Sequence, residues 1–155
     1  MSRRHLRRVG LPILALAAAN ILGPTGASAA PPPPFPEGVI VGSPDKDTLI
    51  GTWRGEVIFG LAEDDLIFGG PGADRIFGGP GADRIRGGFG PDTIRGGLGA
   101  DRISGGPGND LIFVAGDGAI DTVSCGDGRQ DLVIVDQDDV VDIDCEFVWV
   151  RDPEA

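Results

Sequence analysis

Residues 69–113 read GGPGADRIF (69–77), GGPGADRIR (78–86), GGFGPDTIR (87–95), GGLGADRIS (96–104) and GGPGNDLIF (105–113), five nonapeptides joined without a gap. Each obeys Gly-Gly-x-Gly-x-Asp-x-apolar-x. Weaker copies precede them as GSPDKDTLI (42–50), GTWRGEVIF (51–59) and GLAEDDLIF (60–68), so eight rungs run from Gly42. A short unit that repeats at a fixed period cannot bury an apolar face alone and must stack on its neighbours, which makes the chain a solenoid.

The letters of one rung follow from backbone chemistry. Three glycines in the first six residues permit positive φ and close backbone approach, so that half makes an open turn with carbonyls directed inward. The last three residues, such as Arg75-Ile76-Phe77, alternate outward, inward, outward as a short strand. One apolar side chain per rung then enters the interior: Leu49, Ile58, Ile67, Ile76, Ile85, Ile94, Ile103 and Ile112. The sixth position is Asp47, Asp65, Asp74, Asp83, Asp92, Asp101 and Asp110, with Glu56 in the remaining slot.

This pattern resembles the RTX, or haemolysin-type, calcium-binding repeat family over residues 42–113. The resemblance implies an all-β fold, a right-handed parallel β-roll (β-solenoid) with two nonapeptides per turn. Residues eighteen apart would then stack, placing Asp65, Asp83 and Asp101 on one edge with Asp47, and Asp74, Asp92 and Asp110 on the other with Glu56. It also implies calcium ions between stacked turns, held by these aspartates and by backbone carbonyls of Gly70, Gly72, Gly79, Gly81, Gly87, Gly88, Phe89, Gly90, Gly96, Leu98, Gly105 and Pro107. At least four ions are expected, between Asp65 and Asp83, Asp83 and Asp101, Asp74 and Asp92, and Asp92 and Asp110. Sites at Asp47 and Glu56 are marginal, because Asp45, Arg54 and Glu63 replace the fourth-position glycine there. Calcium suits such a cage because it accepts six to eight oxygen ligands in flexible geometry.

One interior side chain per nine residues is a thin core for a glycine-rich chain, whose ordering is entropically expensive. Stacked carboxylates also repel one another. The segment is therefore expected to be largely disordered without calcium and to fold on binding it.

Upstream, MSRRHLRRVG is basic and LPILALAAANILG apolar, and Ala27-Ser28-Ala29 offers a small-residue cleavage site. Residues 1–29 thus read as a signal peptide rather than a membrane anchor, which needs about twenty apolar residues. A secreted, extracellular protein is expected, with no membrane span after cleavage. Residues 30–38 carry PPPPFP, a stiff extended linker. The roll is expected over 39–113, expanded rungs and a C-terminal cap over 114–150, and a tail over 151–155.

Without the leader's four arginines, nine basic residues face 24 acidic ones, which excludes nucleic acid as a partner. Arg75, Arg84, Arg86, Arg95 and Arg102 fall at outward positions and temper the acidic edges.

Downstream, Asp121-Thr122-Val123 and Asp131-Leu132-Val133 repeat the Asp-x-apolar signature of Asp110-Leu111-Ile112 at spacings of eleven and ten. They read as expanded rungs. The Val- and Ile-rich segment after them is the expected irregular cap, with Asp136, Asp138, Asp139, Asp142 and Asp144 read as a solvated acidic face. Cys125 and Cys145 lie close to one turn apart, so they would stack at about 5 Å and form a disulfide that pins the cap in an exported chain.

Catalysis has little to build on. The one histidine, His5, is in the leader and tyrosine is absent, so neither a nucleophilic triad nor a histidine zinc site assembles. The chain is expected not to be an enzyme. An alternative to calcium binding as its purpose is a cell-surface or matrix adhesion module that binds glycan, with Trp53, Phe77, Phe89 and Phe113 as candidate aromatics. Ice binding is a further alternative, which wants ranks of threonine where this chain scatters Thr48, Thr52, Thr93 and Thr122.

Overall fold

A computed structural model describes residues 38–152 of the chain. The expected leader, all but the last residue of the proline-rich linker (30–37), and the final residues 153–155 lie outside the described residues. Thirteen strands and no helix make up this region. They are β1 (Val39–Val41), β2 (Thr48–Ile50), β3 (Val57–Phe59), β4 (Leu66–Pro71), β5 (Arg75–Pro80), β6 (Arg84–Phe89) and β7 (Thr93–Leu98). The series continues through β8 (Arg102–Ser104), β9 (Leu111–Phe113), β10 (Thr122–Ser124), β11 (Leu132–Val135), β12 (Val140–Val141) and β13 (Phe147–Val150).

Successive strands alternate between two parallel sheets. The odd strands form one, in the order β1-β3-β5-β7-β9-β11-β13, and the even strands the other, from β2 to β12. This is a β-solenoid with two rungs per turn, as the eighteen-residue repeat predicts. Through the nonapeptides the register holds at eighteen: Ile58 pairs with Ile76, Ile76 with Ile94, and Ile67 with Ile85.

The strands β4 to β7 are longer than the three residues expected, because pairing continues through the glycines. Gly70 stands opposite Gly88 and Gly79 opposite Gly97. The turn half of a rung is thus itself a stacked, hydrogen-bonded element. Gly72 N–H donates to the Phe89 carbonyl and Gly90 N–H to that of Pro107. Glycine is required for this approach: Gly90 has φ of 115°, and a Cβ there would sit 1.8 Å from the Gly72 carbonyl oxygen.

The core is the predicted single column of apolar residues from each sheet. Ile58, Ile67, Ile76, Ile85, Ile94, Ile103 and Ile112 are buried, whereas Leu49, in the first turn, is half-buried with fewer rungs beneath it. The column extends through Val123 and Val133, which stack on Ile103 and Ile112. Residues 114–150 therefore continue the solenoid in irregular rungs, expanded to register steps of twenty at β8/β10 and twenty-one at β9/β11, back to eighteen at β10/β12 and shortened to fifteen at β11/β13. The irregular end is held by a disulfide between Cys125 and Cys145, whose Cα atoms are 5.1 Å apart. The last strand, β13, has all four residues exposed.

Candidate metal centre

The short strands place every sixth-position carboxylate at the mouth of a strand, where it turns into the solenoid. On one edge Asp47 N–H donates to Asp65 Oδ1 at 2.8 Å, Asp65 to Asp83 at 2.8 Å, and Asp83 to Asp101 at 2.9 Å. On the other edge Glu56 donates to Asp74 at 2.7 Å, Asp74 to Asp92 at 2.8 Å, and Asp92 to Asp110 at 2.8 Å. The eighteen-residue stacking expected for these residues is therefore present, written as two ladders of backbone N–H to carboxylate bonds.

The ladders do not stop with the nonapeptides. Asp101 N–H donates to Asp121 Oδ1 at 2.7 Å, and Asp121 to Asp139 at 2.9 Å. On the second edge Asp110 donates to Asp131 Oδ1 at 2.7 Å, and Asp131 to Glu146 Oε2 at 3.0 Å. Asp139 and Glu146 did not emerge from the sequence as ladder members. The signal was present in Asp139-Val140-Val141 and Glu146-Phe147-Val148, which keep the acidic-x-Val form at shortened spacing.

One oxygen of each ladder aspartate is thus accounted for. The other is not. Oδ2 of Asp65, Asp74, Asp83, Asp92, Asp101, Asp110, Asp121 and Asp131 is buried and has no hydrogen-bond partner, and none of these residues is more than 2 % exposed. A buried unpaired carboxylate oxygen is destabilising by more than a neutral group would be. Eight of them in two columns form an arrangement that calls for a cation. Each Oδ2 in the good repeats lies against the first glycine of its own rung: a Cβ at Gly96 would be 2.3 Å from Asp101 Oδ2, and one at Gly105 2.3 Å from Asp110 Oδ2.

Burial accordingly pushes these carboxyls up, opposed by the hydrogen bond each accepts from the preceding aspartate N–H. Asp92 and Asp101 are raised to about 7, and Asp83, Asp110 and Asp121 to about 6. Neighbouring carboxylates add to the rise. Asp144 shows the contrast: burial would raise it, but donors from Gly126 N, Cys125 N and Ser124 Oγ outweigh that and hold it below the usual carboxylate range.

Three of the four ladder ends, Asp47, Glu56 and Asp139, are closed by protein donors, and the fourth, Glu146, is exposed. Ser43 and Thr52 stand where the strong repeats have their second glycine. Ser43 N and Oγ donate to Asp47 Oδ2 at 2.5 and 2.8 Å, while Thr52 N donates to Glu56 Oε2 at 3.0 Å and its hydroxyl to Oε1. At the far end Asp139 Oδ2 accepts from Asp136 N at 2.6 Å. The acidic C-terminal face is therefore only in part as expected: Asp138 and Asp142 are exposed, but Asp136 and Asp144 accept backbone N–H groups of the irregular turns, from Gly116 and Cys125, and Asp139 accepts the ladder N–H of Asp121.

The oxygen set fits a hard divalent cation. Carboxylate and carbonyl oxygens, without nitrogen or free sulfur, suit calcium. Where the backbone carbonyls fall, those of Phe89, Leu98, Gly105 and Pro107 each accept an N–H from the turn below. The carbonyls of Gly70, Gly72, Gly79 and Gly81 point along the stack towards Gly88, Gly90, Gly97 and Gly99. The only other grouping of metal-ligating residues among the described residues is Cys125, Asp144 and Cys145, whose sulfurs are bonded to each other.

The outer faces carry the remaining candidates. On the odd-strand sheet Val41, Phe59, Phe77, Arg95, Phe113, Ile134 and Trp149 form one column by register. Phe59 and Phe77 stack with centroids 5.0 Å apart, and Arg95 lies 5.7 Å over Phe113. Trp53 sits in a turn and Phe89 at the end of β6 in the other sheet, both away from that column. The threonines form no rank: Thr48 and Thr122 share a column interrupted by Leu66, Arg84 and Arg102. No described helix is long and apolar enough to cross a membrane.

With known proteins the chain compares as follows. Comparison with curated proteins gives no match. Among solved structures it is similar to a subunit of the mannuronan C5-epimerase of Azotobacter vinelandii, at 34% identity and a TM-score of 0.43, over 56% of this chain and 55% of that one. Residues 50–85 and 77–112 match the family model for the RTX calcium-binding nonapeptide repeat. The paired carboxylate ladders and this match agree: the chain carries RTX calcium-binding nonapeptide repeats along the central stack of its solenoid.

Proposed function

We propose that this is a secreted calcium-binding protein whose repeats fold as they take up the metal. The observation that carries the reading is the pair of columns of buried, unpartnered aspartate oxygens. Asp65, Asp74, Asp83, Asp92, Asp101 and Asp110 supply the carboxylates, and the glycine turns supply carbonyls. Asp47 belongs to the same ladder but already has Ser43 as a donor, which makes it the weakest of the proposed ligands. At least four ions sit between stacked turns in this reading. Calcium supplies the charge that offsets eight buried carboxylates and the oxygen-to-metal bonds that tie one turn to the next.

Secretion is supported by the residue 1–29 leader pattern and by the Cys125–Cys145 disulfide, a bond that persists in oxidising compartments. Extracellular calcium in the millimolar range would then drive folding after export. The test is far-UV circular dichroism during titration with calcium, with magnesium as control. A coil spectrum that becomes β with calcium alone is expected. A β spectrum already complete in chelator and unchanged by calcium would overturn the coupling.

A second reading, an adhesion module for glycan, draws on the aromatic column of Phe59, Phe77, Phe113 and Trp149 along one outer face. Calcium-dependent retention on immobilised polysaccharide, lost on Phe77→Ala together with Phe113→Ala, tests it.

A further inference from the structure

We propose that the calcium columns extend past the nonapeptides to two further sites, one between Asp101 and Asp121 and one between Asp110 and Asp131. The inference rests on calcium being the ligand of the repeats. It adds sites in residues that the repeat family match, which ends at 112, does not reach.

Asp121 and Asp131 sit on rungs of irregular length, and nothing in the nine-residue pattern assigns them a ligand. Yet each repeats the environment of the repeat aspartates. They are 1 % and 0 % exposed, and each takes the ladder N–H on Oδ1 from Asp101 or Asp110. Each is left with a buried Oδ2 that no donor reaches.

The surroundings show that donors were available to this part of the chain. Asp144, nearby, has both oxygens engaged by Cys125 N, Gly126 N and Ser124 Oγ. Asp139, the next ladder member, has its second oxygen on Asp136 N. At the opposite end Ser43 and Thr52 close the ladders in the same way. The column of Asp121 is thus bounded at both ends by carboxylates that protein donors satisfy, Asp47 and Asp139, while that of Asp131 starts at Glu56, held by Thr52, and ends at the exposed Glu146. At the Asp110–Asp131 site the backbone needed for a cage is continuous as well, and at the Asp101–Asp121 site Gly99 N–H reaches up to the Asp117 carboxylate. Gly106 N donates to the Cys125 carbonyl and Gly108 N to that of Asp127, so the turn after β10 stacks on the glycine turn below it. Isolated buried carboxylates so placed would repel their neighbours with no compensation, whereas a divalent cation between each pair removes both the repulsion and the missing partner.

Native mass spectrometry of the oxidised, calcium-saturated protein tests the assignment. Two ions beyond the four between the nonapeptides are expected. Asp121→Asn and Asp131→Asn should each lose one ion, and the double variant two, while Asp83→Asn, a control inside the repeats, should also lose bound metal. A wild-type count of four, or a double variant that keeps the wild-type count, overturns the two extra sites while leaving the repeats as calcium ligands. No bound calcium at all would overturn the reading of the repeats and this inference together. Should the asparagine variants not fold, the wild-type count decides alone: six ions are expected, and four overturns the two extra sites.

Discussion

The solenoid has two halves built to different rules around one common feature. Between Gly60 and Phe113 every rung has nine residues and begins with glycine. After Phe113 the rungs lengthen to eleven and ten residues, and the corresponding first positions become Val114, Cys125 and Val135, all buried. A side chain at that corner would collide with the ladder carboxylate in the regular half, 2.3 Å from Oδ2 at Gly105. In the rungs of Val114 and Cys125 the aspartate follows the corner by seven and six residues, Asp121 and Asp131, where Asp110 follows Gly105 by five. The carboxylate ladder is what both halves keep, from Asp47 to Asp139 and from Glu56 to Glu146.

The two halves should differ in what holds them. The regular half has one interior isoleucine per rung, while the irregular half adds the corner residues and a covalent link. Chelation has the largest expected effect. Hydrogen exchange in chelator should show β4 to β8 fully unprotected, with residual protection confined to β10 and β11 near the disulfide. Equal protection in both halves would break the comparison.

Exchanging the corners comes next. Gly105→Val places a side chain against Asp110 Oδ2 and the Cys125 carbonyl, and we expect about 3 kcal/mol of destabilisation with weaker calcium binding. The reciprocal Val114→Ala should cost about 2 kcal/mol and leave calcium affinity unchanged. Thermal melts and calcium isotherms of both variants measure this, and an affinity loss in Val114→Ala would show that the corner is coupled to the metal after all.

Reducing the disulfide closes no loop in the unfolded chain and should cost about 3 kcal/mol, felt in β10 to β13 and not in β4 to β7. Exchange measured strand by strand after reduction checks that the loss stays local.

Acidity has the smallest effect and its sign separates metal from proton. In the metal-free solenoid burial raises Asp92 and Asp101 to about 7 and Asp83 and Asp110 to about 6. A carboxyl raised above its unfolded value stabilises the fold below that unfolded value, near 4, and the stabilisation is lost as pH rises through 6 to 7. Any folded population in chelator should therefore be greater at pH 5 than at pH 8. Calcium competes with those protons, so its affinity should rise over the same interval. Circular dichroism in chelator and titrations at both values test the pair of signs.

Much of this was legible in the sequence because a repeat multiplies a weak signal. The nine-residue period fixed the interior isoleucines, the outward arginines and the two edges of aspartates, since a stack of identical rungs has only one way to align identical residues. The spacing of Cys125 and Cys145 likewise gave their proximity. The ends were less legible because their chemistry does not depend on period. That Ser43 and Thr52 replace glycine is visible in the sequence, but that their hydroxyls satisfy Asp47 and Glu56 is a matter of three-dimensional reach. The same holds for Asp121, Asp131, Asp139 and Glu146. Spacings that vary from seven to eleven residues obscure their common role. Only the stacking of the backbone shows that each receives the N–H of the acidic residue one turn below, and which of them are left with an oxygen that nothing in the protein fills. Sequence alone determined the repeating unit and its metal chemistry, because those are local and periodic. Tertiary structure decided where the columns begin and end, because hydrogen-bond satisfaction depends on neighbours a full turn away.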